Sequence, residues 1–325
     1  MNQRVKSLLA WSGFLIIIFV FCRNKPFLTI LVWILAWRGF VGLIAWLVDG
    51  KVSERRDETQ TAATEADPRF DTRQKLFLVF VNYYVSNLPF VLNPFLLTQN
   101  VLQIVGLIWE KLFGCPILEA AKYKQKGDYI LPVAGEWYVV NGGIVEKTSH
   151  SWDIPSQRFA YDLLKRGDNR RSFGGNGRRL NDYICFDAPI LSPANGVVVK
   201  VRDGIRDAPF VGTFWMDWLT RNLAGNSVLL RHAEGEYCLL AHLKCGSVRV
   251  KSGQTVKQGE EIARCGHSGN STEPHLHFQF QNRESFYFSS SLPVKFTGFY
   301  CTNGSERRFI DRGYLSKDCA VSVSA

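Results

Sequence analysis

The sequence predicts N-terminal transmembrane helices followed by a mainly antiparallel β domain. Three observations predict it. Apolar runs crowd the first hundred residues, short strand-like segments separated by glycine-containing turns fill residues 133–300, and few helical patterns occur beyond residue 115. The chain has 325 residues, a formal net charge of +10 and 46% hydrophobic residues, enough for one sizeable domain and a second region.

The first region covers residues 1–114. Residues 7–22 and 27–48 are almost wholly apolar, separated by Arg23-Asn24-Lys25-Pro26. The second run is long enough to cross a bilayer, although Arg38 sits in its middle. The first is marginal in length, and Arg4 and Lys6 before it also suit a signal peptide. No small-residue cleavage site follows, so retained anchors are preferred. A polar linker, residues 49–75, leads to a third run at 76–98, interrupted by Pro89 and Pro94. Residues 99–113 suit either a fourth span or a helix lying on the membrane. Arg4 and Lys6, with the basic residues of the linker, lie inside if three spans are present, which sends the rest of the chain outside the cytoplasm. Arg23 and Lys25 vote against this.

After a connector at 115–132, strands are expected at Trp137–Val140, Gly196–Val201, Ser227–Arg231, Tyr237–His242 and His275–Phe280, with a C-terminal extension at 301–325. Two insertions interrupt them. Arg166–Arg179 reads as a flexible basic loop, equally suited to solvent and to an anionic substrate, and Ile205–Leu223 carries Phe210, Phe214, Trp215 and Trp218, for which ordinary packing is preferred. Of eight cysteines none forms a CxxC pair. A Cys301–Cys319 disulfide is open to an oxidising compartment, and buried free thiols are the default.

His275-Leu276-His277-Phe278-Gln279-Phe280 is the most informative stretch. Alternation puts His275, His277 and Gln279 on one face of a strand and Leu276, Phe278 and Phe280 on the other, against a core. Upstream, His242 ends an apolar strand, Asp162 lies in the apolar segment Phe159–Leu164 where an unpaired charge is costly, and His150 precedes both. Two neutral imidazoles and one carboxylate with an open fourth position suit a catalytic zinc. Of the remaining histidines, His232 at a hairpin end reads as structural, and His267 lies in a turn where a polar residue is common and is given no catalytic role.

The segment from Ser156 to Phe280 resembles the lysostaphin/β-lytic zinc metallopeptidase family. The likeness rests on Phe159-Ala160-Tyr161-Asp162, Ala241-His242-Leu243, the Val/Gly-rich hairpin within Gly246–Gly269, and Pro274–Phe278. It covers a little under half the chain. The resemblance implies that Asp162 and His277 ligate one zinc ion per chain, and that His242 and His275 handle the water and the oxyanion. There is one departure: the family commonly places its first histidine four residues before the aspartate, where this chain has Arg158, which cannot ligate a metal. His150 is the favoured third ligand. The competing reading leaves it on the surface and the site incomplete.

The apolar spans together with what the resemblance implies give the expectation of a membrane-anchored zinc metalloendopeptidase cleaving peptidoglycan cross-links or a related wall peptide, in the inner membrane with its domain on the periplasmic or extracellular side. Its partners are then wall peptide and the lipid bilayer. The alternative is an inactive relative that binds wall peptide or a partner protein and regulates another hydrolase. A sugar-transport phosphocarrier or lipoyl-like domain does not explain the His-x-His strand. Nucleic acid is excluded as a partner, because the basic residues sit in loops and linkers without a reading module.

Overall fold

The computed structural model describes residues 93–114, 119–211, 217 and 219–323. The expected spans at 7–22 and 27–48, the 49–75 linker and nearly all of the 76–98 run lie outside the described residues. Phe214, Trp215 and Trp218 do so too.

Helix α1 (Pro94–Phe113) opens the described chain. Asn93 caps it by accepting from the backbone N–H groups of Phe95 and Leu96, and Pro94 occupies the first turn, where a missing N–H costs nothing. Asn93 thus marks the start of one continuous helix that runs through Phe113. Among the described residues no helix is long and apolar enough to cross a membrane, because Gln99, Asn100, Gln103, Glu110 and Lys111 dilute α1.

Twelve strands follow among the described residues: β1 (Glu136–Asn141), β2 (Tyr161–Leu164), β3 (Pro189–Leu191), β4 (Gly196–Arg202), β5 (Asn226–Ala233), β6 (Glu236–Leu243), β7 (Thr255–Val256), β8 (Glu261–Arg264), β9 (Leu276–Gln281), β10 (Phe296–Asn303), β11 (Glu306–Gly313) and β12 (Ala320–Ser322). Ten form one antiparallel sheet in the order β11-β10-β12-β1-β2-β9-β6-β5-β4-β7, while β3 pairs with β8. The domain is mainly antiparallel β, and the sheet runs on past residue 300 through β10, β11 and β12. A disulfide joins Cys301 of β10 to Cys319, the residue before β12.

The core lies on one face of the central strands. Leu276, Phe278 and Phe280 of β9 are essentially inaccessible and pack with Tyr129, Trp137, Tyr161 and Phe296. Each such side chain contributes roughly 1.5–3 kcal/mol on burial. The opposite face of β9 is covered as well, and that determines what polar side chains there must do: every one has to find a partner. The connector is held by Glu236, whose buried carboxylate accepts from the hydroxyls of Tyr123 and Tyr129 and the N–H groups of Lys126 and Gly127. The basic insertion at Arg166–Arg179 is built around a small core of Phe173, Tyr183 and Val211, with Arg166 stacked on the Tyr138 ring.

Candidate active site

Three neighbouring strands in the middle of the sheet, β2, β9 and β6, carry the site. Register places Asp162 of β2 directly opposite His277 of β9, and His277 opposite Ala241, the residue before His242 on β6. His277 Nδ1 donates to Asp162 Oδ1 at 2.8 Å. Below the sheet surface, His277 Nε2 lies 3.2 Å from Gln279 Oε1, Gln279 Nε2 donates to Gln281 Oε1, and Gln281 Nε2 donates to the carbonyls of Arg283 and Ser285. This ladder satisfies the covered polar face of β9 and fixes the orientation of the His277 ring.

His150 reaches the site from outside the sheet. Successive turns between Ser151 and Ala160 fold the segment back on itself, and Ser149 Oγ donates to the carbonyl of Arg158. His150 Nδ1 then lies 3.4 Å from Asp162 Oδ2. Arg158 points elsewhere: its Nε donates to the Trp152 carbonyl and its guanidinium lies over the Trp152 ring at 4.8 Å. Donor atoms of His150, Asp162 and His277 all lie within 4.8 Å of one another. Two imidazoles and one carboxylate at this separation are a donor set that fits zinc.

The electrostatics agree with a cation site. Burial pushes the Asp162 carboxyl up, but His150, His277 and His275 outweigh it and hold the group well below the usual carboxylate range. Burial lowers His277, yet the Asp162 carboxylate prevails and raises it, so a positive charge is favoured at this point. His150 is lowered, desolvation by its surroundings outweighing Asp162, which keeps its ring available as a neutral donor.

His242 and His275 share a different arrangement. His242 Nδ1 donates to the carbonyl of Ser268 at 2.8 Å, and His275 Nδ1 donates to the carbonyl of Glu273 at 2.8 Å. In both rings the proton is thereby assigned to Nδ1, and Nε2 is left as the base. His275 Nε2 lies 3.8 Å from Asp162 Oδ1, and the His242 ring centroid is 5.8 Å from that of His277. Burial, with His275 and His277 close by, drives His242 well below the ordinary histidine value. Its backbone has φ +57°, in the left-handed region. The contact to Ser268 depends on Gly225, where a Cβ would fall 2.4 Å from the Ser268 oxygen.

All five residues expected from the sequence thus meet in one place. Sequence reasoning missed three others. Asn141, at the bulged end of β1, donates to Asp162 Oδ2 at 3.1 Å. Gln281 ends the ladder. Ser271 donates from its hydroxyl to the Glu273 carbonyl and lies 3.0 Å from His267 Nδ1 and 3.2 Å from His275 Nδ1. His267, given no catalytic role from the sequence, is wholly buried. The alternation that flagged His275 also reaches Gln281; nothing in the local pattern marks Asn141. His232 packs against Tyr129 and Phe280 and bonds Asn195, away from this cluster.

Residues 182–287 match the model of Peptidase family M23. The chain carries an M23 peptidase domain. His242, His275 and His277 fall within the matched residues of the M23 domain, and His150 and Asp162 precede them. An uncharacterized metalloprotease of Haemophilus influenzae is 32% identical over 210 residues, covering 62% of this chain and 40% of the relative. Peptidoglycan DD-endopeptidase ShyA of Vibrio cholerae is 26% identical over 181 residues, covering 53% of this chain and 37% of the relative. The chain spans less than half the length of these curated relatives. The catalytic domain of lysostaphin from Staphylococcus simulans aligns at 18% identity with a TM-score of 0.26, covering 53% of this chain and 90% of that domain.

Proposed function

We propose that the chain is a membrane-anchored zinc metalloendopeptidase that hydrolyses peptide bonds in peptidoglycan cross-links, with its M23 domain on the periplasmic or extracellular side of the inner membrane. The observation that carries this reading is the meeting of a His150–Asp162–His277 donor set with two histidines, His242 and His275, whose Nδ1 atoms are held by backbone carbonyls and whose Nε2 atoms are left to act as bases. The peptidoglycan DD-endopeptidase among its relatives supports the substrate class. Zinc held by His150, Asp162 and His277 would supply a Lewis acid that polarises a carbonyl and lowers the pKa of water.

The chain's own residues supply the proton handling. His275 Nε2, beside Asp162, takes a proton from the attacking water, since its Nδ1 proton is held by the Glu273 carbonyl. His275 then passes that proton to the leaving amine, so the proton taken from water leaves with the product, while His242, buried and neutral, offers Nε2 as a second acceptor that orients the water. Asn141 and the Gln279–Gln281 ladder orient the donor set. The Cys301–Cys319 disulfide supports an oxidising compartment, and the charge pattern of the first hundred residues supports anchoring with the N-terminus inside.

The test is metal analysis of the purified full chain together with digestion of purified wall sacculi. One zinc per chain and new amine and carboxyl ends at cross-link positions, found by mass spectrometry, are the expected result. A zinc-loaded chain that leaves cross-links intact refutes the reading.

A further inference from the structure

Helix α1 leaves an apolar stripe on its outer side. On an ordinary surface helix the apolar stripe faces the protein and the polar face meets water. Here the side turned to the β domain buries Leu96 and is otherwise held largely through polar atoms. Gln99, buried, donates from Nε2 to the Arg221 carbonyl and accepts at Oε1 from the Leu223 N–H and the Tyr287 hydroxyl. Glu110, also buried, accepts at Oε2 from Ser290 Oγ at 2.8 Å. Between them Gly106 lets the Tyr287 backbone come so close that a Cβ would fall 2.1 Å from its carbonyl oxygen. The outward stripe is Val101, Val105, Ile108 and Leu112, spaced as one helical face and exposed by 38–68%.

We infer that this face of α1 lies on the surface of a phospholipid bilayer and seats the M23 domain against it. Three observations favour lipid as the occupant. The chain arrives at α1 from an uncharged, largely apolar run that begins at Leu76, so the helix continues an apolar stretch of the sequence. The helix is too short of apolar residues to cross a membrane, yet it presents an apolar face with Trp109 and Phe113 at its C-terminal end, the form of an interfacial helix. At the other end the exposed Arg221 places its guanidinium 5.8 Å from the Phe95 ring, a cation at the edge of the apolar surface where lipid phosphates lie. The inference rests on the anchored reading above and adds to it a fixed seat for the domain.

The experiment uses the full chain reconstituted in vesicles of phosphatidylethanolamine and phosphatidylglycerol. An environment-sensitive fluorescent amino acid replaces Val105 or Leu112 during translation, with Lys200, exposed on β4, as the control position. Blue-shifted emission at 105 and 112, quenched by doxyl-labelled lipid and resistant to aqueous iodide, is expected, with the opposite at 200. Iodide quenching at 105 and 112 equal to that at 200 overturns the inference. Shielding from both quenchers means that protein covers the face, either the preceding segment or a second copy, and overturns it too. Flotation separates the two readings: a chain that floats with vesicles but has aqueous probes refutes only the seat, whereas one that does not float refutes anchoring as well.

Discussion

The rings of His242 and His275 lie 4.8 Å apart, centroid to centroid, and each has its Nδ1 committed to a backbone carbonyl. Neither ring takes part in the donor set of His150, Asp162 and His277. Mutation of the pair is therefore expected to leave metal binding in place.

His242→Ala and His275→Ala are each expected to keep zinc and lose about 10²–10⁴-fold in turnover. Zinc content by mass spectrometry and release of cross-link fragments from sacculi measure the two effects side by side. Loss of zinc in either variant reassigns that residue to the metal.

His150→Ala should strip or greatly weaken zinc binding, while Arg158→Ala should retain it, because the Arg158 guanidinium rests on Trp152. The arginine change is expected to cost about 1–2 kcal/mol of stability through the lost cation–π contact and the lost hydrogen bond to the Trp152 carbonyl. Titration with a fluorescent zinc chelator distinguishes them; equal zinc affinity in the wild type and the His150 variant sinks the assignment.

Burial holds His267 at a pKa of about 4, below its ordinary value of 6.5. The folded protein therefore binds this proton more weakly than the unfolded chain does. The stability associated with a neutral His267 is complete above pH 6.5 and lost as the pH falls towards 4, amounting to roughly 3 kcal/mol. In chelator, urea unfolding of His267→Gln should show a pH dependence shallower by about that amount between 6.5 and 4. An unchanged slope refutes the assignment.

Joint replacement of Cys301 and Cys319 by Ser should lower stability by about 3 kcal/mol, the entropy of a closed loop of this size, without touching zinc. Thermal unfolding with and without reductant provides the check: the wild type should be sensitive to reductant and the double variant indifferent to it.

Protease added to spheroplasts should degrade the M23 domain and spare the linker at residues 49–75. A domain protected in intact spheroplasts and cut only after lysis would overturn both the topology and the wall substrate.

Much of the site is legible from residue order, for identifiable reasons. The period-two pattern of β9 fixes which side chains face the core, so alternation alone assigns His277, Gln279 and their neighbours to one side of the strand. Asp162 stands out as a charge among apolar residues. His150 does not: its approach depends on turns between residues 151 and 160 whose hydrogen bonds leave no periodic trace, and the departure at Arg158 is resolved only by the position of Trp152. Asn141 depends on a register shift in β1, and the contact of His242 with Ser268 on two loops brought together at Gly225. The inward polarity of α1 is invisible in the sequence because Gln99 finds its partners more than a hundred residues away.

A ten-stranded open sheet has two rims, and each is a template on which a neighbouring molecule could add a strand. Among the described residues both are blunted. The rim strand β7 has only two residues, and β11 carries Glu306, Arg307, Arg308, Asp311 and Arg312 along an exposed ribbon. Zipping two such rims together would strip these charges of water. The domain can accordingly be crowded at high density without fusing sheet to sheet, a safeguard encoded far from the residues that do the chemistry.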